Sequence, residues 1–155
     1  MQGNMRRKDR AADEERTLKV LRGGEYGVLS TVSPEGQPYG VPLHYCLLDN
    51  AVYFHCASEG HKLANLAANN RASFCVVGET RVLAQELATA YESVVVFGPV
   101  TEAHDDEKMK AYQAIAAKYS GDFPEESAAY IEKFGARARV FRLDIQTITG
   151  KARNA

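Results

Sequence analysis

A chain of 155 residues, 45% apolar and 25% charged, has the size of one domain around one core and the composition of an ordinary globular protein. A formal net charge of −1 at pH 7 offers neither the basic excess that nucleic acid requires nor an acidic tail, so no nucleic-acid partner is expected. No apolar run approaches the ~20 residues of a membrane helix, and the charged start MQGNMRRKDRAADEE lacks the apolar stretch of a signal peptide, which points to the cytoplasm and to no membrane partner.

Residues 1–12 read as a flexible N-terminal segment of a single 1–155 domain, and the internal Met5 suggests that MQGN is an extension ahead of the natural start. DEERTLKVLRGG (13–24) predicts a helix, with an acidic first turn and a glycine stop. EYGVLSTV (25–32) predicts the first strand, followed by the turn SPEG. QPYGVPLHYCLL (37–48) predicts a second, whose Pro38 and Pro42 suit an edge, and the Asp49-Asn50 turn leads into a third, AVYFHCA (51–57). Ser58 is placed to cap the helix EGHKLANLAANN (59–70).

RASFCVVG (71–78) predicts a fourth strand reaching toward Leu83, AQELATAYES (84–93) a loop, and ESVVVFGPVTEA (92–103) a fifth strand. Two helices follow, 104–121 and 123–135, the second with Pro124 in its first turn. RARVFRLDIQTITG (137–150) alternates apolar and polar residues as a sixth strand. Short strands joined by tight turns pair antiparallel, and six of them with few helices predict a mainly β fold with peripheral helices, a small closed or split barrel.

The three cysteines, Cys46, Cys56 and Cys75, show no paired spacing and sit in apolar runs, so free buried thiols are expected. With Asp49-Asn50 as the hairpin turn, His44 faces His55, Cys46 faces Tyr53 and Leu43 faces Cys56. His44, Cys46 and His55 then share one face, but a structural metal site needs four ligands, and no carboxylate stands nearby in sequence to complete or orient the set. The expectation is therefore no metal. Just beyond, Ser58, Gly60, His61 and Lys62 stand at a helix start, where free N–H groups and the helix dipole favour a phosphate. A ligand with a phosphate tail and a flat head fits along Tyr53 to Ala57 with its tail at Lys62. His104 reads as solvated, and neither a dinucleotide fingerprint nor a P-loop is present.

The segments GEYGVLSTV, GQPYGVPL, VYFHCASEGHKLANLAANNRASFCVVG, YESVVVFG and ITGKAR, in this order from about Met5 to Arg153, resemble the nitroimidazole-resistance proteins. These belong to the pyridoxamine 5′-phosphate oxidase-like group of flavin-binding split barrels. The resemblance implies a six-stranded antiparallel split β-barrel of the FMN-binding type and a homodimer with FMN at the interface. Carried over by position, His61 and Lys62 hold the phosphate, and Tyr53, Phe54 and His55 line the ribityl chain and ring. Pro42 and Leu43 edge the isoalloxazine, Ser93 approaches from the partner protomer, and Lys151 lies nearby. His55 takes the place of the family's active-site histidine and becomes the candidate for proton delivery. The implied activity is an FMN-dependent oxidoreductase reducing a nitroimidazole or another nitroaromatic. The arginine-rich strand and C-terminal substrate segment of the true pyridoxamine phosphate oxidases are missing, which puts vitamin B6 oxidation in doubt. The alternative is a flavin- or haem-binding protein without turnover, with His44 and His55 available as axial ligands.

Overall fold

The computed structural model describes residues 5–155, so the reading of Met1–Asn4 as an extension lies outside the described residues. Four α-helices, α1 (Glu14–Gly23), α2 (His61–Ala68), α3 (Asp105–Ser120) and α4 (Pro124–Phe134), surround eight strands. The strands are β1 (Gly27–Val32), β2 (Pro38–Leu43), β3 (Cys46–Leu48), β4 (Ala51–Cys56), β5 (Arg71–Leu83), β6 (Ala88–Ala103), β7 (Arg139–Asp144) and β8 (Thr147–Arg153). Every pairing is antiparallel, along the path β2-β1-β5-β6-β7-β4-β3, with β8 on β6. β2 and β3 end the path, so the sheet is not closed and has the form of a split barrel.

Eight strands replace the expected six because two predicted strands are each interrupted. The stretch 37–48 breaks at His44-Tyr45, where the Tyr119 hydroxyl takes both backbone groups of Tyr45. It accepts the N–H and donates to the carbonyl, each at 3.1 Å. The stretch 137–150 breaks at Ile145-Gln146. There Ile145 N–H donates to Asn50 O at 3.1 Å and Gln146 N–H to Phe97 O at 3.0 Å. Leu143 faces Val100 and Thr147 faces Phe97, so four steps along one strand match three along β6, a bulge. At this crossing a Cβ on Gly98 would lie 1.7 Å from Asp144 O, so only glycine admits the passage of β6 from one half of the barrel to the other.

Two further local expectations are corrected. The predicted loop 84–93 is mostly strand. Only a 3-10 turn (Ala84–Glu86) and Leu87 separate β5 from β6, and pairing runs on to Leu83 and Ala88. Ser58 does not cap α2. The cap position belongs to Gly60, no side chain bonds there, and the Ser58 carbonyl accepts Arg139 Nη1 at 3.2 Å. Ser58 stands two residues too early for its hydroxyl to serve.

Other readings hold. The helix expected over 13–24 is α1, with Glu14 and Glu15 in its first turn, and Asp13 caps it by accepting the Arg16 N–H at 2.8 Å. Pro38 and Pro42 lie on β2, an end strand. The hairpin pairs Cys46 with Tyr53 around Asp49, whose φ of 51° is the left-handed turn conformation, but the register ends there: Leu43 pairs with Gly27 instead of Cys56, and His44 lies in the break and pairs with no strand. The three cysteines are free thiols. The N-terminal stretch carries a 3-10 turn at Lys8–Arg10, and Ala11 bridges Lys151.

The two faces of the hairpin feed two cores. Val52, Phe54 and Tyr45 fill the barrel with Leu29, Phe74 and Leu143. Cys46, Ala51 and Tyr53 face α3 and pack with Ala111, Tyr112 and Ile115. Each of the larger aliphatic and Phe side chains among them contributes roughly 1.5–3 kcal/mol of burial. Among the described residues, no helix is long and apolar enough to cross a membrane.

Candidate functional site

The interruption at His44-Tyr45 sets up the site. β3 covers β4 only from Ala51 to Tyr53, whereas β7 pairs with it from Ala51 to Cys56. The backbone of Phe54, His55 and Cys56 therefore has an edge with no strand on it. That edge runs toward the start of α2. Gly60 stands there at φ 144°, outside the range of L side chains, with open space where a Cβ would be. His61 follows, its ring 4.1 Å from that of Tyr39 on β2. Lys62 is half-buried and forms no salt bridge among the described residues. The helix behind them is fixed: Leu63, Asn65 and Leu66 are buried, and Asn65 Nδ2 donates to Thr31 Oγ1 at 3.0 Å.

The other candidate residues divide. Phe54 is 0% exposed inside the barrel and offers a ligand only its backbone. Tyr53 has strands on both edges, and its hydroxyl donates to Glu107 Oε1 at 2.7 Å, so neither its side chain nor its backbone is free. Pro42 is exposed and Leu43 half-buried at the end of β2, opposite Val28 and Gly27. Ser93 and Lys151 face each other across β6 and β8, with Ser93 opposite Val77 on its other side. They form a pair away from β4 and α2 in the strand order.

His44 and His55 do come together, as walls of a cavity of about 380 Å³ between the sheet and α3–α4. The His44 ring stacks on Tyr119 at 3.9 Å, and the His55 ring lies 5.2 Å from that of Tyr112. Among the described residues, His55 Nδ1 is buried without a hydrogen-bond partner, and so is Lys118 Nζ, which sits 3.8 Å over the Tyr45 ring. Burial above all, and then the neighbouring His44 and Lys62, push the His55 pKa below the usual histidine range. Burial likewise pushes the Cys46 thiol up to about 11, which keeps it protonated. Among the described residues, no three His, Cys, Asp or Glu side chains are grouped to hold a metal ion, so His44, Cys46 and His55 do not form one site.

Sequence reasoning missed the helical half of this cavity. The signal was present in α3, where Tyr112, Ile115 and Tyr119 recur at one-face helical spacing. What it did not show is that this face lies on β4.

Residues 13–152 match the family model described as pyridoxamine 5′-phosphate oxidase. The chain belongs to this family. All candidate residues from Pro42 to Lys151 fall within the matched span. Among solved structures, this member of the pyridoxamine 5′-phosphate oxidase family is similar to a candidate 5-nitroimidazole antibiotic resistance protein from Bacteroides thetaiotaomicron. The identity is 24% over 90% of this chain and 83% of that one, with a TM-score of 0.74. It is also similar to an FAD-binding protein from Mesorhizobium loti, 25% identical over 94% of this chain and 98% of that one, TM-score 0.66. A third likeness is to an FAD and haem binding protein from Mycobacterium smegmatis, 19% identical over 96% of this chain and 75% of that one, TM-score 0.79. No curated protein matches the chain.

Proposed function

We propose that this protein is an FMN-binding oxidoreductase that reduces a small molecule such as a nitroimidazole or another nitroaromatic. The observation that carries the proposal is the step Gly60-His61-Lys62. A backbone that only glycine adopts leads into the N-terminus of a firmly anchored helix, with a half-buried lysine, beside an open strand edge. These residues fit a flavin phosphate. The α2 N–H groups and Lys62 hold it, Gly60 lets it approach the backbone, and the free edge at Phe54–Cys56 lies along the rest of the molecule. Bound FMN, once reduced by an external hydride or electron donor, would supply the reducing electrons two at a time. His55 stands beside that edge as the candidate proton donor; its lowered pKa means that the protonated, donating form grows only at pH values below the usual histidine range.

The active unit in this reading is a homodimer with flavin between the protomers and Ser93 and Lys151 supplied across the interface. The β5–β6 hairpin supports it, presenting Val77 opposite Ser93 and, further toward the hairpin tip, Val82 (75% exposed) and Leu87 (97%) to the surface. Sedimentation with and without FMN checks the dimer.

Adding FMN to the purified protein and removing the free flavin by gel filtration tests the proposal directly, since a protein that binds keeps the flavin spectrum and one that does not emerges colourless. Lys62→Ala is expected to weaken FMN binding by about 1.5–3 kcal/mol, the size of a charge-assisted hydrogen bond. Unchanged affinity would place the phosphate elsewhere. His55→Ala is expected to lower turnover of a nitroaromatic more than FMN affinity. A second reading, a flavin- or haem-binding protein without turnover, draws on the two histidines in one cavity and the likeness to the FAD and haem binding protein. A Soret band after haem addition, with no reductant consumed in the presence of a nitroaromatic, would favour it.

A further inference from the structure

Arg139, on β7 opposite Cys56, makes contacts that strand pairing does not require. Its Nε and Nη2 donate to the two carboxylate oxygens of Glu102 on β6, at 2.8 and 2.7 Å. Its guanidinium lies 5.1 Å from the Phe141 ring centroid. A planar fork held along one edge by a carboxylate has little freedom left. The remaining nitrogen, Nη1, donates to Ser58 O at 3.2 Å.

Ser58 belongs to the loop 57–60, which joins the open edge of β4 to α2. All four of its residues are exposed, so no buried side chain fixes it. Among the described residues, the bond from Arg139 is the one hydrogen bond that ties residues 57–59 to the rest of the protein. α2 begins without a side-chain cap. Its first turn closes on Gly60 O, which accepts the Leu63 N–H at 3.0 Å and the Ala64 N–H at 3.1 Å. Leu63, Asn65 and Leu66 anchor the body of the helix, and the clamp on Ser58 fixes the loop that enters it.

We infer that Arg139 is a positioning residue for the phosphate site: held by Glu102, it fixes the loop ahead of α2 and so sets where Gly60 and Lys62 stand. Glu102 balances its charge, so Arg139 acts on an anion through the loop and not by direct attraction. The inference rests on the flavin reading for its ligand but not for the clamp.

The test compares FMN with riboflavin, the same flavin without its phosphate, by fluorescence titration of the purified variants. The ratio of the two affinities is insensitive to a general loss of folded protein. Arg142 is the control. It stands on the same strand with similar exposure and likewise holds carboxylates, Glu107 and Asp144, but bonds to nothing in the loop 57–60. Arg139→Gln is expected to cut the preference for FMN over riboflavin about tenfold, and Arg142→Gln to leave it within about twofold. Arg139→Lys keeps the charge but cannot hold Glu102 and Ser58 together, so it is expected to resemble Arg139→Gln. Glu102→Gln makes the site more positive, yet it is expected to lower the FMN preference about threefold or more, because Arg139 is released. A higher preference in Glu102→Gln, or a full one in Arg139→Gln or Arg139→Lys, would overturn the inference. Hydrogen exchange of the Leu63 and Ala64 amides, measured without flavin, is expected to quicken about fivefold in Arg139→Gln and not in Arg142→Gln. Equal exchange in these two variants overturns the clamp whether or not FMN binds. Quickened exchange in a protein that takes no FMN, or prefers it no more than riboflavin, sinks the flavin reading alone.

Discussion

α2 and α4 are helices of similar length, eight and eleven residues, held in opposite ways. α2 buries Leu63, Asn65 and Leu66 and is tied to β1 by the bond from Asn65 to Thr31. α4 has no fully buried residue, its Ile131 alone packs half-buried against the outer core, and its Tyr130 and Phe134 rings meet each other at the surface at 4.7 Å. The helix that presents Lys62 is thus part of the barrel, while the helix that covers the histidine cavity rests on α3. A phosphate anchor works by being fixed in place, whereas a cover over a cavity works by opening, and local opening is easiest where few apolar groups are buried. Shortening side chains on the two helices is therefore expected to have unequal consequences.

The largest effect is expected at Leu66, which is buried in the barrel cluster. Leu66→Ala removes that packing and leaves a void, at a cost of about 2–5 kcal/mol. The midpoint of chemical denaturation reads it. A loss no greater than that of a surface variant would mean that α2 is not held by the barrel.

Gly60→Ala comes next. Nothing lies within 4 Å of the added methyl group, so the whole cost is the backbone conformation at φ 144°. A residue forced into a region reserved for glycine loses about 1–3 kcal/mol. The same variant is expected to weaken FMN binding, because relief of the strain moves the first turn of α2. Full stability together with unchanged FMN affinity would show that this conformation is not needed.

What could be read from the chain beforehand follows the same divide between local and distant causes. The hairpin at Asp49-Asn50 and its register out to Cys46 and Tyr53 were legible because a tight turn fixes which residues face each other nearby, whereas the expected facing of His44 with His55 and of Leu43 with Cys56 fails beyond the break. Gly60, His61 and Lys62 were legible because they are contiguous. The break at His44-Tyr45 was not, because its cause is the hydroxyl of Tyr119, 74 positions away. The strand character of 88–93 was hidden for a like reason: it comes from pairing with β5, and the local residues Gln85 and Glu86 suggest only a turn. Half of the candidate site was thus visible as a motif. The other half, the aromatic wall from α3 and α4, exists only once the chain has folded.

The histidine under the loosely held helix gives the comparison a pH dependence. The folded pKa of His55 lies below its unfolded value near 6.5, mainly through burial. Above that pH both states are neutral and His55 contributes no slope. As pH falls below it, the unfolded chain binds the proton first, and the folded state loses relative stability until the folded pKa is passed. His55→Gln is expected to flatten the fall in stability between about pH 7 and pH 5 relative to the unmodified protein. Parallel curves for the two proteins would show that His55 is solvated in the native state.

The smallest effect is expected on α4 itself. Tyr130 is more than half exposed and packs chiefly on Phe134, so Tyr130→Ala is expected to change global stability by no more than about 0.5 kcal/mol. Its local effect is a different quantity. If α4 opens as a unit, removing a ring from its surface leaves the barrel untouched but speeds hydrogen exchange of the α4 amides, while those of α2 keep the protection of the core. A stability loss as large as that of Leu66→Ala would mean that α4 is held as firmly as α2, by contacts that the single chain does not contain. The second protomer of the proposed homodimer is then the source to test, by repeating the exchange measurement at concentrations that favour the monomer.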